Sequence, residues 1–321
     1  MWHYTGRLRG VQAAAFAGGA MLKGLFPPIP TPYDGDEVSP ARLRDNIARW
    51  ESHPIDGYVV LGSNGEAPLL DDAERAAVIR AARSAVPAGK PLVAGAGRES
   101  TRATIRAVKE AFDLGADAVL VGVPGYYRPA MTDDVLIAHY RAVAAASPGP
   151  MLLYSVPFFT GLPLGPALFA ELLECGKVAG IKDSSGDPAS IQALVSAASA
   201  RGSRASVLVG SARALAEATR LGAVGAVLAV ANVAPAVCAR IAEAARAQDR
   251  GAAEALNAAL DPLTDAVTRR HGIGGLKAAL DLLGFHGGLP RPPLPAATAE
   301  ARAEIAGLLA GLERLGLAVA R

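Results

Sequence analysis

Two side chains stand where short apolar segments end and could take part in chemistry there. Lys182 follows Val178–Ile181, an apolar run bounded by turn residues. Because an ammonium is costly to desolvate, burial at this point favours the neutral amine, which attacks ketones to form a Schiff base. A lysine that extends to solvent or pairs with Asp183 is the alternative. Tyr154, in the apolar segment Met151–Val156, could relay protons, or could be a half-buried core tyrosine with a satisfied hydroxyl.

A third candidate is a pair of small polar residues. Ser63 and Asn64 lie between two glycines at the end of another apolar run, Gly57–Gly62. Such a segment exposes backbone N–H groups that suit a carboxylate. The alternative is an ordinary Asn-Gly turn.

The alternation of apolar and amphipathic segments predicts the elements that position these residues. The predicted strands are Gly24–Pro30, Gly57–Gly62, Pro91–Gly95, Asp117–Val123, Met151–Val156, Val178–Ile181, Ser206–Gly210 and Gly225–Val230. The segments between them have apolar residues at helical spacing, and the predicted helices are Asp71–Ala85, Thr101–Leu114, Thr132–Ala146, Gly165–Glu174, Pro188–Ala200 and Ala212–Leu221. Asp71 and Glu74 are spaced as a capping box.

Strands that alternate with helices indicate parallel βαβ units, and eight strands close a barrel. We therefore predict an α/β fold, a (β/α)8 TIM barrel with a C-terminal helical appendage. A doubly wound open sheet is the weaker alternative, because a nucleotide-binding sheet of that kind carries GxGxxG after its first strand and this chain does not.

We predict three parts of the chain: an extension at residues 1–20, the barrel at 21–235, and a C-terminal helical region at 236–321. The later helices are predicted at Pro235–Ala247, Gly251–Arg270, Gly274–Leu283 and Ala297–Leu317. A targeting peptide at residues 1–20 is the alternative to a disordered extension or an upstream start.

The composition narrows the classes of partner. Lys and Arg number 32 against 30 Asp and Glu, without a basic run, which argues against nucleic acid. Charges and Gly-Pro clusters interrupt every apolar run, which argues against a membrane span. Cys175 and Cys238 are predicted to be apolar fillers in a reducing, cytoplasmic setting. The five histidines are scattered, so we predict no metal site.

Taken in order, the motifs resemble the dihydrodipicolinate synthase / N-acetylneuraminate lyase family of class I aldolases. The similar segments are GSNGE after the second strand, the tyrosine pair Tyr126-Tyr127, YSVP at the fifth strand, GIKDSSGD at the sixth, Ala231-Asn232-Val233 after the eighth, and GLKAALDLLG at residues 275–284. The spacing from Tyr154 to Lys182 also resembles that of the family. The resemblance covers about residues 21 to 321.

The resemblance implies specific roles for the candidate residues. Lys182 would form the Schiff base with pyruvate or another 2-oxo acid, and Tyr154 would shuttle protons to and from it. Ser63 and Asn64 would hold the pyruvate carboxylate, and the Ser63 hydroxyl would link two tyrosines in a relay. Tyr126 would complete that relay from across a subunit interface.

The resemblance also has implications for the walls of the site and for the assembly. The backbone carbonyl of Val227 would line the pyruvate site, with Ser184 beside it. The resemblance implies a homotetramer, a dimer of dimers, that needs no metal or organic cofactor.

Phe159 is where the chain departs from the pattern. The motifs are most like those of 4-hydroxy-2-oxoglutarate aldolase, whereas lysine-biosynthetic dihydrodipicolinate synthases resemble one another in placing an arginine at this position, where it binds the aldehyde carboxylate. A phenyl ring cannot pair with a buried carboxylate, which disfavours aspartate semialdehyde.

We therefore predict a Schiff-base aldolase that cleaves or forms a 4-hydroxy-2-oxo acid, with pyruvate and an aldehyde as partners. The aldehyde is glyoxylate if the closest resemblance holds, and a less polar aldehyde is an alternative. The sequence is also compatible with a dihydrodipicolinate synthase, with a related sugar-acid lyase or dehydratase, and with a non-catalytic binding barrel.

Overall fold

The fold is built around one sheet of eight parallel strands. The computed structural model describes residues 22–320, so the predicted extension at residues 1–20 lies outside the described residues. The strands are β1 (Gly24–Phe26), β2 (Tyr58–Val60), β3 (Leu92–Gly95), β4 (Ala118–Gly122), β5 (Met151–Ser155), β6 (Val178–Asp183), β7 (Ser206–Val209) and β8 (Gly225–Val227). All but β6 lie inside the predicted segments, and β6 continues past its predicted end to include Lys182 and Asp183.

Backbone hydrogen bonds close this sheet into a barrel. The strand order is β1-β8-β7-β6-β5-β4-β3-β2, which leaves β1 and β2 at its two edges. The segment after β1 joins those edges, since Ile29 N donates to Val59 O at 2.8 Å and Val59 N donates to Pro27 O at 3.1 Å. The prediction of a (β/α)8 barrel is confirmed, and the open-sheet alternative is wrong.

The barrel helices follow the strands in turn. They are α1 (Pro40–Trp50), α2 (Asp72–Ala85), α3 (Thr101–Asp113), α4 (Asp133–Ala146), α5 (Pro166–Leu172), α6 (Pro188–Ala200), α7 (Leu215–Arg220) and α8 (Pro235–Arg246). The predicted capping box is confirmed, because Asp71 Oδ1 accepts from Glu74 N at 2.8 Å and Glu74 Oε2 accepts from Asp71 N at 2.9 Å. The predicted elements omit α1, although its buried face carries apolar residues at helical spacing.

Two segments of the C-terminal region, residues 267–274 and 294–298, border the end of the barrel at which the strands finish. The region contains α9 (Arg250–Asp265), α10 (Gly272–Leu282) and α11 (Ala299–Arg314). A π-helical turn, Ala266–Arg270, separates α9 from α10 where one continuous helix was predicted to residue 270. The predicted boundary at residue 235 falls at the start of α8, so the division of the chain there stays a prediction.

Two apolar layers pack against the strands, one inside the barrel and one between the strands and the helices. The smaller layer fills the barrel with Phe26, Val59, Val93, Leu152 and Leu208, among others, and it also contains Tyr154. The larger layer lies between strands and helices and includes Cys238, whose pKa burial raises to about 12. Because Tyr154 pairs in register with Lys182, both side chains stand on the same face of the sheet, toward the interior. Within residues 22–320, no helix is both long enough and apolar enough to span a membrane.

Candidate active site

Lys182 is held inside the barrel near the carboxyl end of β6. Its side chain is only 4% exposed, and its Nζ lies 4.2 Å from the centroid of the Tyr154 ring. The Asp183 carboxylate is engaged elsewhere, because it accepts from Ser185 N at 3.1 Å and from Ser185 Oγ at 2.6 Å. Neither alternative for Lys182, extension to solvent or pairing with Asp183, describes this arrangement.

A glycine at the end of the neighbouring strand makes room for the lysine. A Cβ at Gly210 would lie 3.0 Å from Lys182 Cε and 2.0 Å from Ser184 Oγ. The backbone continues the ladder at this level, since Gly210 N donates to Asp183 O at 2.7 Å. A larger residue after β7 would therefore displace the lysine or Ser184.

The hydroxyl groups of Tyr154 and Ser63 lie within hydrogen-bonding distance, at 3.2 Å. Ser63 belongs to the loop after β2, whose ends are fixed by two non-glycine residues with left-handed backbone, Leu61 and Glu66, both at φ 56°. Such conformations cost about 1–3 kcal/mol each and persist only where the surrounding structure enforces them. The surrounding structure thus holds this loop, which lines the cavity with Ser63 and Asn64, in one shape.

These groups share one cavity at the carboxyl end of the barrel strands. It has a volume of about 780 Å³, and its walls include most of the predicted site residues: Ser63, Asn64, Tyr154, Phe159, Lys182, Ser184 and Val227. Phe159 lies at the rim on a single helical turn, Pro157–Thr160, and is 64% exposed. An amine and two hydroxyls in one cavity, with the Asn64 amide also in its wall, suit imine chemistry on a small oxo acid.

Tyr126 is the one predicted site residue that the chain does not bring to this cavity. Its side chain is 79% exposed, and it does not line the cavity. Its loop is fixed to the barrel by Glu99, whose carboxylate accepts from Tyr126 N at 2.9 Å. A role for the Tyr126 hydroxyl in the site therefore requires a second subunit.

Within residues 22–320, no three His, Cys, Asp or Glu side chains come together as metal ligands.

The comparisons with known proteins agree with the geometry of the cavity. The model of the dihydrodipicolinate synthetase family matches residues 21–311. The chain belongs to this family. It is therefore an enzyme, a lyase of the aldolase type.

Relatives and solved structures of the family cover nearly all of the chain. An uncharacterised DapA-like lyase of Halobacterium salinarum is 37% identical over 91% of this chain and 94% of its own length. A 4-hydroxy-tetrahydrodipicolinate synthase of Thermomicrobium roseum is 35% identical over 85% of this chain and 89% of its own length. YagE of Escherichia coli K12, solved in complex with pyruvate, has a TM-score of 0.84 at 27% identity and covers 93% of this chain and 100% of its own.

Behind the Ser63 loop lies a buried ion pair that the sequence analysis did not assign. Glu66 Oε1 and Lys277 Nζ are 2.6 Å apart, and both side chains are 0% exposed. Lys277 also donates to Leu289 O at 2.9 Å, and Glu66 Oε2 accepts from Arg291 N at 2.7 Å. Burial lowers the pKa of Lys277, and the nearby Glu66 opposes that shift. The pair ties the α10 helix to the loop that carries Ser63.

Removing one partner of this pair should destabilise the protein strongly. Lys277→Met retains the length of the side chain but leaves the Glu66 carboxylate buried without its cation, so we expect a loss of about 3–5 kcal/mol in the free energy of unfolding. Urea unfolding at one protein concentration measures the loss. Lys177→Met, at an exposed lysine outside the site, is the control.

The double variant Glu66→Gln/Lys277→Met tests the coupling. It should lose less than the sum of the two single variants, because no uncompensated charge remains buried. Strictly additive losses would show that the two charges do not depend on each other.

Proposed function

We propose that the protein is a Schiff-base aldolase that cleaves or forms a 4-hydroxy-2-oxo acid, with pyruvate as one partner and Lys182 as the amine. The observation that carries the proposal is the burial of Lys182 beside the Tyr154 ring, whose hydroxyl lies 3.2 Å from that of Ser63, in one cavity. The membership of the chain in an aldolase-type family and the pyruvate complex of YagE support it.

The proposed reaction starts with addition of the Lys182 amine to the ketone carbon of the substrate. Loss of water from the carbinolamine gives a protonated imine. Formation of the carbinolamine and its dehydration both involve proton transfers, which need an acid or base within reach. Breaking the bond between C3 and C4 leaves its electron pair on C3, where the imine accepts it as an enamine. The proton of the C4 hydroxyl leaves as the aldehyde forms, C3 is then protonated, and hydrolysis of the imine releases pyruvate.

Tyr154 is our candidate for these proton transfers. Its hydroxyl has Ser63 as a hydrogen-bond partner, and its ring lies beside the amine, with Lys182 Nζ 4.2 Å from the ring centroid. Ser63 and Asn64, on the constrained loop after β2, are our candidates for holding the carboxylate of the oxo acid. Val227 and Ser184 also line the cavity.

The second candidate function is 4-hydroxy-tetrahydrodipicolinate synthesis, because several relatives at 33–35% identity carry that name. Phe159 at the cavity rim speaks against it. The deciding experiment measures pyruvate release from a panel of 4-hydroxy-2-oxo acids, 4-hydroxy-2-oxoglutarate included, beside condensation of pyruvate with aspartate semialdehyde. Turnover with the semialdehyde alone would replace our first proposal with the second.

Phe159 should limit the choice of aldehyde. We expect the wild type to condense pyruvate with aspartate semialdehyde poorly, since the phenyl ring at position 159 offers no donor to a carboxylate that is desolvated beside it. Phe159→Arg should raise kcat/KM for this aldehyde, roughly 10-fold or more for a new charge-assisted hydrogen bond. Imine formation at Lys182 should be unaffected.

Phe158→Arg is the matched control for the added charge. Phe158 also lines the cavity and contacts Phe159 edge to face, with ring centroids 5.0 Å apart. An equal gain in kcat/KM in both variants would show that the effect comes from positive charge at the rim in general and not from position 159. Efficient use of aspartate semialdehyde by the wild type would contradict the role of Phe159.

We further propose that Tyr126 acts across a subunit interface in a homotetramer. The rings of Tyr126 and Tyr127 are both largely exposed in the single chain, which is typical of residues that pack against a partner. Tyr126→Phe should lower kcat without changing the oligomer seen by light scattering, and Tyr127→Phe is the matched control. A fully active monomer would refute this role.

The cytoplasmic location stays a prediction.

A further inference from the structure

The charged side chains that line the cavity are all cationic. Besides Lys182, the walls include Arg213 from the turn before α7 and Arg269 and Arg270 from the π-helical turn, with His271 next to them. Among the described residues, no Asp or Glu lines this cavity. A cavity lined by charge of one sign attracts ligands of the other.

The acidic partners of this cluster do not line the cavity, and they neutralise only part of its charge. Arg270 Nε contacts Asp265 Oδ2 at 2.8 Å, and its guanidinium also pairs with Glu304. Glu304 Oε2 lies 2.9 Å from His271 Nε2 as well, and the pKa of Glu304 is lowered chiefly by that hydrogen bond. Arg270 and His271 are thus already engaged by protein carboxylates.

Two arginines remain available to a ligand. Arg213 Nη1 is 4.0 Å from Asp265 Oδ1, at the limit of an ion pair, and Asp265 is already shared with Arg270. Arg269 is exposed and forms no ion pair within residues 22–320. Both residues line the cavity that contains Lys182.

We propose that Arg213 and Arg269 bind a second anionic group of the substrate, a carboxylate or a phosphate, at the end of the molecule away from the imine. This rests on the proposed function, because the imine at Lys182 fixes the reacting carbon. Ser63 and Asn64 lie on the loop after β2, whereas both arginines lie on the segments after β7 and α9. The half of the substrate that comes from the aldehyde therefore extends toward the arginines.

The same charge distribution excludes cationic acceptors. An ammonium group in this cavity would meet arginines and no carboxylate, so its desolvation would go uncompensated. Aspartate semialdehyde carries such an ammonium, whereas succinic semialdehyde is the same aldehyde without it. The substrate class is therefore a 4-hydroxy-2-oxo acid with a distal anionic group and no amino group.

Matched pairs of aldehydes, each condensed with pyruvate, test the proposal. Glyoxylate is compared with glycolaldehyde for the carboxylate, glyceraldehyde 3-phosphate with glyceraldehyde for the phosphate, and succinic with aspartate semialdehyde for the ammonium. Arg213→Gln and Arg269→Gln should each lower kcat/KM for the anionic aldehydes that the site binds, among glyoxylate, succinic semialdehyde and glyceraldehyde 3-phosphate, roughly 10- to 100-fold, the usual effect of losing a hydrogen bond to a charged group. The uncharged glycolaldehyde and glyceraldehyde should change less than about threefold, and the wild type should prefer succinic to aspartate semialdehyde. Arg80→Gln, at an exposed arginine of α2 away from the cavity, is the control for net charge.

The outcomes distinguish a carboxylate from a phosphate as the anionic group. They also distinguish a failure of this inference from a failure of the proposed function. A loss confined to glyoxylate and succinic semialdehyde identifies a carboxylate, and one confined to glyceraldehyde 3-phosphate identifies a phosphate. Equal losses for charged and neutral aldehydes, no losses, or better use of aspartate than of succinic semialdehyde would overturn this inference. Trapping of pyruvate by borohydride should persist in both variants, and its absence from the wild type would instead refute the proposed function.

Discussion

Incubation with pyruvate and borohydride should attach a reduced pyruvyl group to the peptide that contains Lys182. The reason is that the amine is buried, is not paired with Asp183, and faces a cavity with room for an oxo acid. Lys182→Ala should lose both the adduct and measurable turnover, because no imine can then accept the electron pair of the broken bond. Mass spectrometry of the digested protein locates the adduct.

Two lysines serve as controls for this experiment. Lys177→Ala removes an exposed amine that donates to Pro148 O outside the cavity, and it should retain the adduct and full activity. Lys277 is also fully buried, but its ammonium is held by Glu66 and Leu289 O, so it should not react. An adduct on any other lysine, or one that persists in Lys182→Ala, would contradict the role of Lys182.

Tyr154→Phe should lower kcat by roughly 10²- to 10⁴-fold, the range typical of general acid–base catalysis. The ring fills the barrel interior, and the hydroxyl bonds to Ser63 at 3.2 Å, so the substitution removes the proton donor and keeps the packing. The free energy of unfolding should change by only about 0.5–1.5 kcal/mol, as expected for one hydrogen bond. Steady-state kinetics and urea unfolding on the same preparation measure the two effects.

Tyr140→Phe is the matched control, because it removes the same atom from a fully buried tyrosine outside the cavity. Its activity should stay within about twofold of the wild type. Near-normal turnover of Tyr154→Phe would reduce Tyr154 to a core residue of the barrel. Slow turnover in both variants would indicate a general effect of loosened packing.

The repeating local pattern of the chain was enough to predict the barrel. Apolar runs of strand length alternate with amphipathic helices, and each element is specified by residues close together in sequence, as in the capping box of Asp71 and Glu74. The helix α1 was missed, although Leu43, Ile47 and Trp50 form its buried face. The end of β6 was placed too early, because a lysine and an aspartate look like the start of a turn until a neighbouring strand pairs with them.

The sequence alone also placed most candidate site residues, because carboxyl ends of parallel strands meet at one end of a barrel. Only the tertiary structure decided which of them touch. The hydrogen bond between Ser63 and Tyr154 depends on a loop with two left-handed residues, and the space around Lys182 depends on Gly210 from the next strand. Local spacing cannot encode such distances, since each joins segments far apart in the chain.

The same reason explains the two features that sequence reasoning did not find. Glu66 and Lys277 each stand in a segment that resembles the family, yet an ion pair between them requires α10 to cross behind the β2 loop. Arg213 and Arg269 are ordinary surface residues in the sequence, without a pattern around them. They become a binding site because the π-helical turn and the segment after β7 border the same cavity, with their acidic neighbours outside it. Charge in a site depends on which side chains the fold leaves facing inward, and the order of residues along the chain does not specify that.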